Sequence, residues 1–308
     1  MKNCFLFPGQ GAQYPGMGKD LWEKSEKVKE VFTCAADSTG IDVETLLFEG
    51  TEEELKSTDK TQIAITVVSL SAAAYLQERG VACAGAAGFS LGEYSALAIA
   101  GVIRMEDVFP LVKTRGEVME KAAQKLNKGS GAPGMAAVIG LGYDKMKEII
   151  GQTGISDLYI ANYNSPVQIV LSGTAEALAQ AEGPCKEAGA KRYIKLKVSA
   201  PFHSDLLKGA QSEFSEVLHS CNFSDPVLPV YSNVTGKQVQ SGDDARQLCI
   251  DQICSTVRWV DEEKQLIADG FKQCLETGPG KVLTGLWKYV GGDILCKPAG
   301  TVEQIETL

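Results

Sequence analysis

The stretch Gly88-Phe89-Ser90-Leu91-Gly92 decides how this chain is read. Upstream, Val81-Ala82-Cys83-Ala84-Gly85-Ala86-Ala87 has the small apolar composition of a buried strand. Downstream, Glu93-Tyr94-Ser95-Ala96-Leu97-Ala98-Ile99-Ala100 has that of a helix. A Gly-x-Ser-x-Gly between a strand and a helix describes a nucleophile elbow. Glycines at 88 and 92 remove the β-carbons that would block a tight turn, and the serine hydroxyl is left exposed at the end of the strand. Such a turn suits acyl transfer through serine. Five residues of this kind also arise in an ordinary βα turn, so the pattern by itself leaves both readings open.

The rest of the chain narrows the choice. Its 308 residues, 44% of them hydrophobic, provide for one sizeable core or a core plus a smaller inserted unit. No run approaches the ~20 apolar residues that span a bilayer. The opening Met1-Lys2-Asn3-Cys4-Phe5-Leu6-Phe7 stops at Pro8-Gly9, too early for a signal peptide. A cytoplasmic protein with no membrane partner is expected. Nine cysteines are spread singly, without a Cys-x-x-Cys pair, and read as reduced packing residues; neither a disulfide framework nor a zinc site is indicated. A formal charge of −9, with no clustered basic surface, argues against nucleic acid.

Strand-like and helix-like segments alternate over the first 125 residues and roughly the last hundred, the pattern of a mostly parallel sheet covered by helices. Between them the order changes. Strands are expected at 134–140, 158–162, 168–172 and 192–198, and helices at 143–151 and 175–188, which gives the βαββαβ order of a ferredoxin-like unit. The polar, breaker-rich Lys125-Leu126-Asn127-Lys128-Gly129-Ser130-Gly131-Ala132-Pro133 marks its start. The expectation is an α/β protein with a hydrolase-like parallel-sheet body over 1–129 and 199–308 and a small ferredoxin-like insert over 130–198.

A serine nucleophile needs a base, and the chain has two histidines. His219 falls late in a helical run, where a surface place near the helix C-terminus is expected. His203, in Ser199-Ala200-Pro201-Phe202-His203-Ser204, follows the last strand of the insert, at a junction that makes a cleft, and is the candidate base. Arg115 lies on the apolar stripe Val108, Leu111, Val112, Met119 and Ala122 of a helix expected over 106–125. A buried guanidinium cannot lose its proton and requires an anion, either a protein carboxylate such as Glu93 or the carboxylate of a ligand; the sequence leaves both open. At the N-terminus, Phe5-Leu6-Phe7-Pro8-Gly9-Gln10-Gly11-Ala12-Gln13 is a short strand entering a glycine-rich turn. Its backbone N–H groups, with that of Leu91, are candidates to hold an oxyanion. It has neither the Walker lysine nor the dinucleotide glycine spacing.

Taken together, Phe7-Pro8-Gly9-Gln10-Gly11, Gly88-Phe89-Ser90-Leu91-Gly92-Glu93-Tyr94-Ser95-Ala96, Arg115-Gly116, Asn162-Tyr163-Asn164-Ser165-Pro166 with Gln168, Pro201-Phe202-His203 and Glu276-Thr277-Gly278-Pro279-Gly280-Lys281-Val282-Leu283 resemble one family nearly end to end. It is the malonyl-CoA:acyl carrier protein transacylases of bacterial fatty-acid synthesis, with the related acyltransferase domains of polyketide synthases. The resemblance implies that Ser90 is acylated, that His203 is its base, and that the base is oriented by the backbone carbonyl of Gln252. It implies that the amides of Gln10 and Leu91 form the oxyanion hole and that Arg115 binds the malonyl carboxylate. Met119, Asn162, Asn164 and Phe202 are implied as further substrate-binding positions. Three departures stand out: Phe89 where the family usually has histidine, a longer Ala123–Pro133 connection, and Ile63 where proline is frequent.

The expected reaction has two steps. Ser90 takes the malonyl group from malonyl-CoA, and the phosphopantetheine thiol of acyl carrier protein collects it, without metal or bound cofactor. A monomer is expected. Lys191, Arg192, Lys195 and Lys197 are the densest basic candidates for docking an acidic carrier, with Lys195 and Lys197 on one strand face. The rival readings are a Gly-x-Ser-x-Gly thioesterase or esterase, a silent docking subunit, and a stand-alone acyltransferase serving a polyketide assembly line.

Overall fold

A computed structural model describes residues 2–126, 131–198 and 200–308. Among the described residues, eight strands follow one another: β1 Asn3–Phe7, β2 Gly85–Gly88, β3 Gly134–Ile139, β4 Leu158–Ser165, β5 Gln168–Gly173, β6 Arg192–Lys195, β7 Gln273–Glu276 and β8 Leu295–Pro298. They make two sheets. One is parallel, in the order β2-β1-β7-β8, and an isolated parallel bridge from Ala86 to Val230 extends it beyond β2. Every side chain of β1 is buried, as expected of a central parallel strand covered on both faces. The helix Thr58–Glu78 is buried on nearly all sides rather than along one stripe, and it packs between the helices Glu26–Thr39 and Met105–Leu126 to form the main core beneath the sheet.

The second sheet is antiparallel, in the order β4-β5-β3-β6, the arrangement of a βαββαβ unit with its first and third strands central. Strand alternation divides its residues between two cores. Ala136, Val138, Ile169 and Leu171 pack under the helices Tyr143–Thr153 and Ala175–Glu187, whereas Met135, Ala137, Ala161 and Val170 join the main core. The small sheet is therefore bonded to the body by apolar surface. Backbone hydrogen bonds add to this: the Tyr163 amide donates to the Val257 carbonyl (2.9 Å) and the Val257 amide to that of Ala161 (2.8 Å).

Two expected strands are shorter than the sequence suggests. The one read from Val81 begins at Gly85, because residues 81–84 are partly exposed coil after the left-handed Gly80. The one read to Val198 ends at Lys195. Its pairing with β3 runs from Arg192 opposite Ile139 to Lys195 opposite Ala136, and one further bond, from the Leu196 amide to the Met135 carbonyl (2.9 Å), closes the ladder. Lys197 thus lies beyond the strand and shares no strand face with Lys195, though both are exposed. The proposed boundaries at 129/130 and at Ser199 lie outside the described residues. Among the described residues, no helix is long and apolar enough to cross a membrane.

Candidate active site

The site forms where β2 ends. A β-carbon on Gly88 would lie 2.0 Å from the backbone carbon of Gly92, and one on Gly92 would lie 2.0 Å from the carbonyl oxygen of Phe7. Only glycine at both positions lets the following helix, Gly92–Ile99, start this close to the strands. Ser90 sits between them in the left-handed region (φ 51°), a strained position for a residue with a β-carbon and the mark of a nucleophile elbow. The N-terminal turn packs against it: a β-carbon on Gly9 would meet the carbonyl oxygen of Phe89 at 2.5 Å.

His203 arrives from the far side, also with a positive φ (56°), and its Nε2 is 2.8 Å from Ser90 Oγ. Its Nδ1 is 2.9 Å from the backbone carbonyl of Gln252. A carbonyl only accepts, so Nδ1 carries the hydrogen and Nε2 is free to accept the serine proton. The loop is fixed on both flanks: Ser172 Oγ of β5 donates to the Phe202 carbonyl, and Ser204 Oγ donates to that of Pro201 (2.6 Å). Burial, with the charge of Arg115 as the second cause, lowers the His203 pKa from 6.5 to about 4 against the opposing pull of the Gln252 carbonyl. The imidazole is therefore a neutral base at pH 7.

Arg115 is 1% exposed. Nη1 donates to Gln62 Oε1 (3.0 Å), while Nη2 donates to Gln252 Oε1 (3.0 Å) and lies 3.4 Å from Ser90 Oγ. Among the described residues, no carboxylate forms an ion pair with it. The Arg115–Glu93 pair left open by the sequence is not formed directly, because the Gln252 carboxamide stands between the two. Its Oε1 faces Arg115, and its Nε2 donates to Glu93 Oε2 and to the Ser90 carbonyl (3.0 Å). Glu93 is buried, and burial raises its pKa to about 7.

Among the described residues, neither the Leu91 nor the Gln10 amide hydrogen finds a protein acceptor, and Gln10 is exposed. Both are free to donate. Met119 is buried behind the arginine, its sulfur 3.7 Å from Gln62 Nε2. Phe202 is buried next to His203. Asn162 and Asn164 are buried too, but among the described residues no hydrogen bond joins their side chains to Ser90, His203 or Arg115; Asn164 Oδ1 has no partner. His219 is exposed in the last turn of the helix Lys208–Ser220, its Nδ1 2.6 Å from the Ser215 carbonyl and outside the site. Phe89 replaces the expected polar side chain with an edge-on contact to Trp259, ring centroids 5.6 Å apart. Among the described residues, no group of three or more His, Cys, Asp and Glu side chains is placed to hold a metal.

Three participants escaped the sequence reading: Gln62, which shares Arg115 with Gln252, and the buried pair Asn233 and Glu262 behind the elbow. Asn233 falls in Ser232-Asn233-Val234-Thr235-Gly236, whose composition signals only a turn.

A strained serine on a glycine elbow, a histidine held by a backbone carbonyl and free amides beside them define an acyl-transferring enzyme, and the chain belongs to the acyl transferase domain family, whose profile matches residues 4–288. It is 39% identical over 307 residues to the malonyl CoA-acyl carrier protein transacylase of Bacillus subtilis (strain 168), covering 99% of this chain and 95% of that one. It is 39% identical over 289 residues to the protein of that name from Escherichia coli (strain K12), covering 93% and 92%. Among solved structures it superposes on an acyl carrier protein S-malonyltransferase from Vibrio cholerae O1 biovar eltor with a TM-score of 0.94 at 36% identity, covering 100% and 99% of the chains. A malonyl-transacylase solved in complex with its type II PKS acyl-carrier protein gives 0.93 at 36% identity, covering 100% and 98%.

Proposed function

We propose that this chain moves the malonyl group of malonyl-CoA to the phosphopantetheine thiol of acyl carrier protein through a malonyl ester on Ser90. The observation that carries malonyl as the acyl group is Arg115: a buried cation beside the nucleophile, held by two neutral carboxamide oxygens and, among the described residues, by no carboxylate. Neutral dipoles orient a guanidinium but leave its charge uncompensated, so a ligand carboxylate is the group that completes the site. A simple esterase has no use for such a cation.

Ser90 Oγ attacks the thioester carbonyl while its proton passes to His203 Nε2. The amides of Leu91 and Gln10 receive the oxyanion, the carbon–sulfur bond breaks, and the CoA thiolate takes the proton from the imidazolium. The carrier thiol then gives its proton to His203, attacks the ester and restores Ser90. Both halves balance with these side chains and the two thiols, so the reading assigns no cofactor. Arg115 pins the distal carboxylate, which keeps the ester carbonyl oriented toward the incoming thiol. Of the implied substrate-binding residues, Met119 and Phe202 would shape the acyl pocket, and Asn162 and Asn164 would reach substrate only beyond the catalytic centre.

In this reading, residues 1–129 and 199–308 form the catalytic body and 130–198 an insert that closes the cleft, in a cytoplasmic monomer of lipid biosynthesis. The solved complex with a type II PKS carrier supports a second possibility for the acceptor alone, a polyketide carrier in place of that of fatty-acid synthesis. The test is intact-mass measurement after incubation with malonyl-CoA. Wild type should gain one malonyl group and Ser90→Ala none; an adduct of equal yield on the variant removes Ser90 from the mechanism.

A further inference from the structure

Ser90 holds a backbone conformation that residues with a β-carbon avoid, and something outside the turn must keep it there. The amides of β2 alternate in direction. The Phe89 amide donates to the Phe7 carbonyl of β1, while the Ala86 amide, facing the other way, donates to the Pro229 carbonyl (2.8 Å), and the Tyr231 amide donates back to the Ala86 carbonyl (3.2 Å). Gly88 C=O and Ser90 N–H face this second side. A parallel neighbour would satisfy both with the peptide groups of one residue. Here the neighbouring backbone turns away: the Asn233 amide points at Glu93 Oε2 (3.3 Å), and its carbonyl accepts from the Arg258 amide (2.9 Å).

The side chain of Asn233 completes the ladder instead. Its Oδ1 accepts from Ser90 N–H (2.6 Å) and its Nδ2 donates to Gly88 C=O (2.6 Å), so one carboxamide grips both sides of the elbow. The second Nδ2 hydrogen goes to Glu262 Oε1 (2.7 Å), which fixes the amide the right way round, and Gln252 Nε2 lies 3.3 Å from Oδ1. Asn233, Glu262 and Glu93 are all fully or almost fully buried, so no water substitutes for these bonds. Aspartate, of the same shape, keeps the acceptor for Ser90 but loses the donor to Gly88 and Glu262.

We propose that Asn233 is a positioning residue for the acyl transfer: its carboxamide acts as a surrogate strand peptide that holds Ser90 in the left-handed conformation and so aims Oγ at His203 and the incoming carbonyl. The inference rests on Ser90 being the nucleophile, and its first test needs neither malonyl-CoA nor carrier protein. Phenylmethylsulfonyl fluoride sulfonylates an activated serine, the oxygen–sulfur bond forming as fluoride leaves and the proton passes to the base. Asn233→Asp and Asn233→Ala should each slow sulfonylation of Ser90 about 100-fold, the scale of a misplacement near 1 Å. In malonyl-CoA turnover the loss should fall on kcat, with KM within about threefold of wild type, because Asn233 makes no direct hydrogen bond to Arg115, whose carboxamide partners Gln62 and Gln252 both remain.

Sulfonylation within about threefold of wild type in a folded variant, or a risen KM with unchanged kcat, overturns the proposal. Should neither variant fold, wild-type protein decides by NMR hydrogen exchange. The Ser90 amide and Asn233 carboxamide protons should exchange as slowly as the amides of β1, and free exchange overturns the clamp. If malonyl transfer itself were wrong, the sulfonylation contrast would still stand.

Discussion

The small antiparallel sheet and the loops at the end of β2 are built on opposite terms. In the small sheet, alternation sends the apolar side chains of β3, β4 and β5 to one of two cores, and backbone pairing satisfies the strands' amides and carbonyls. At the elbow, the decisive contacts join Ser90, Arg115, His203, Asn233 and Gln252, which are far apart in sequence. They are polar, buried and dependent on two residues with unfavourable φ. The first region is stable because each element is locally consistent. The second exists only because the rest of the fold over-determines it. The small sheet meets the His203 loop where Ser172 holds the Phe202 carbonyl.

If that contrast is right, substitutions in the polar network change chemistry before they change stability. The largest effect in rate after loss of Ser90 should come from His203→Ala, which should slow CoA release from malonyl-CoA by roughly 10² to 10⁴. His219→Ala should leave the rate within about twofold, as an exposed helix-end residue does. A crippled His219 variant with an intact His203 variant would remove the base from this cleft.

Arg115→Ala comes next and separates recognition from chemistry. Malonyl-CoA should lose about 2–5 kcal/mol in kcat/KM, the range for truncating a buried charge pair, while acetyl-CoA has no carboxylate to lose. The malonyl-to-acetyl ratio should therefore fall steeply. An unchanged ratio, with both substrates depressed alike and a lower Tm, would mean that Arg115 serves only the fold.

A pH series sharpens the electrostatic side. With His203 lowered from 6.5 to about 4, the acid limb of kcat/KM for malonyl-CoA should lie near pH 4. Arg115→Ala should move it upward for acetyl-CoA, since removing the neighbouring cation makes the imidazole easier to protonate. The stability consequences have opposite signs. Below pH 6.5 the unfolded chain gains a proton at His203 that the folded protein takes up only near 4, so stability falls as pH drops through that window. Glu93, raised from 4.5 to about 7, contributes stability that is full below 4.5 and lost as pH rises through 7, and Glu93→Gln should remove that second dependence. A limb near 6.5 in both wild type and Arg115→Ala would show that the arginine does not act on the base.

The smallest effect belongs to the exposed lysines on and just beyond β6. Reversing Lys195 and Lys197 together should raise KM for an acidic carrier protein about two- to tenfold and leave CoA release unchanged, because exposed charges steer association without reaching the acyl site. Equal loss in both half-reactions would break the contrast between a docking surface and a catalytic network.

Much of this is legible in the sequence alone. Gly88, Gly92 and Ser90 announced the elbow because a turn that tight has a local requirement, the absence of two β-carbons. The βαββαβ order was readable because apolar alternation is local as well, though β2 and β6 proved shorter, their ends being set by pairing partners and not by composition. His203 emerged from the scarcity of histidine, and Arg115 from a charge on an apolar stripe. Tertiary structure alone decided the partner of that charge. It placed the Gln252 carboxamide between Arg115 and Glu93, and it brought Gln62, Asn233 and Glu262 to the site from segments whose own composition signals only helix or turn. Periodicity and turn chemistry act between near neighbours in the chain and leave a local imprint. A buried hydrogen-bond network joins groups separated by as much as 162 residues, and its members are chosen by where the folded backbone brings them.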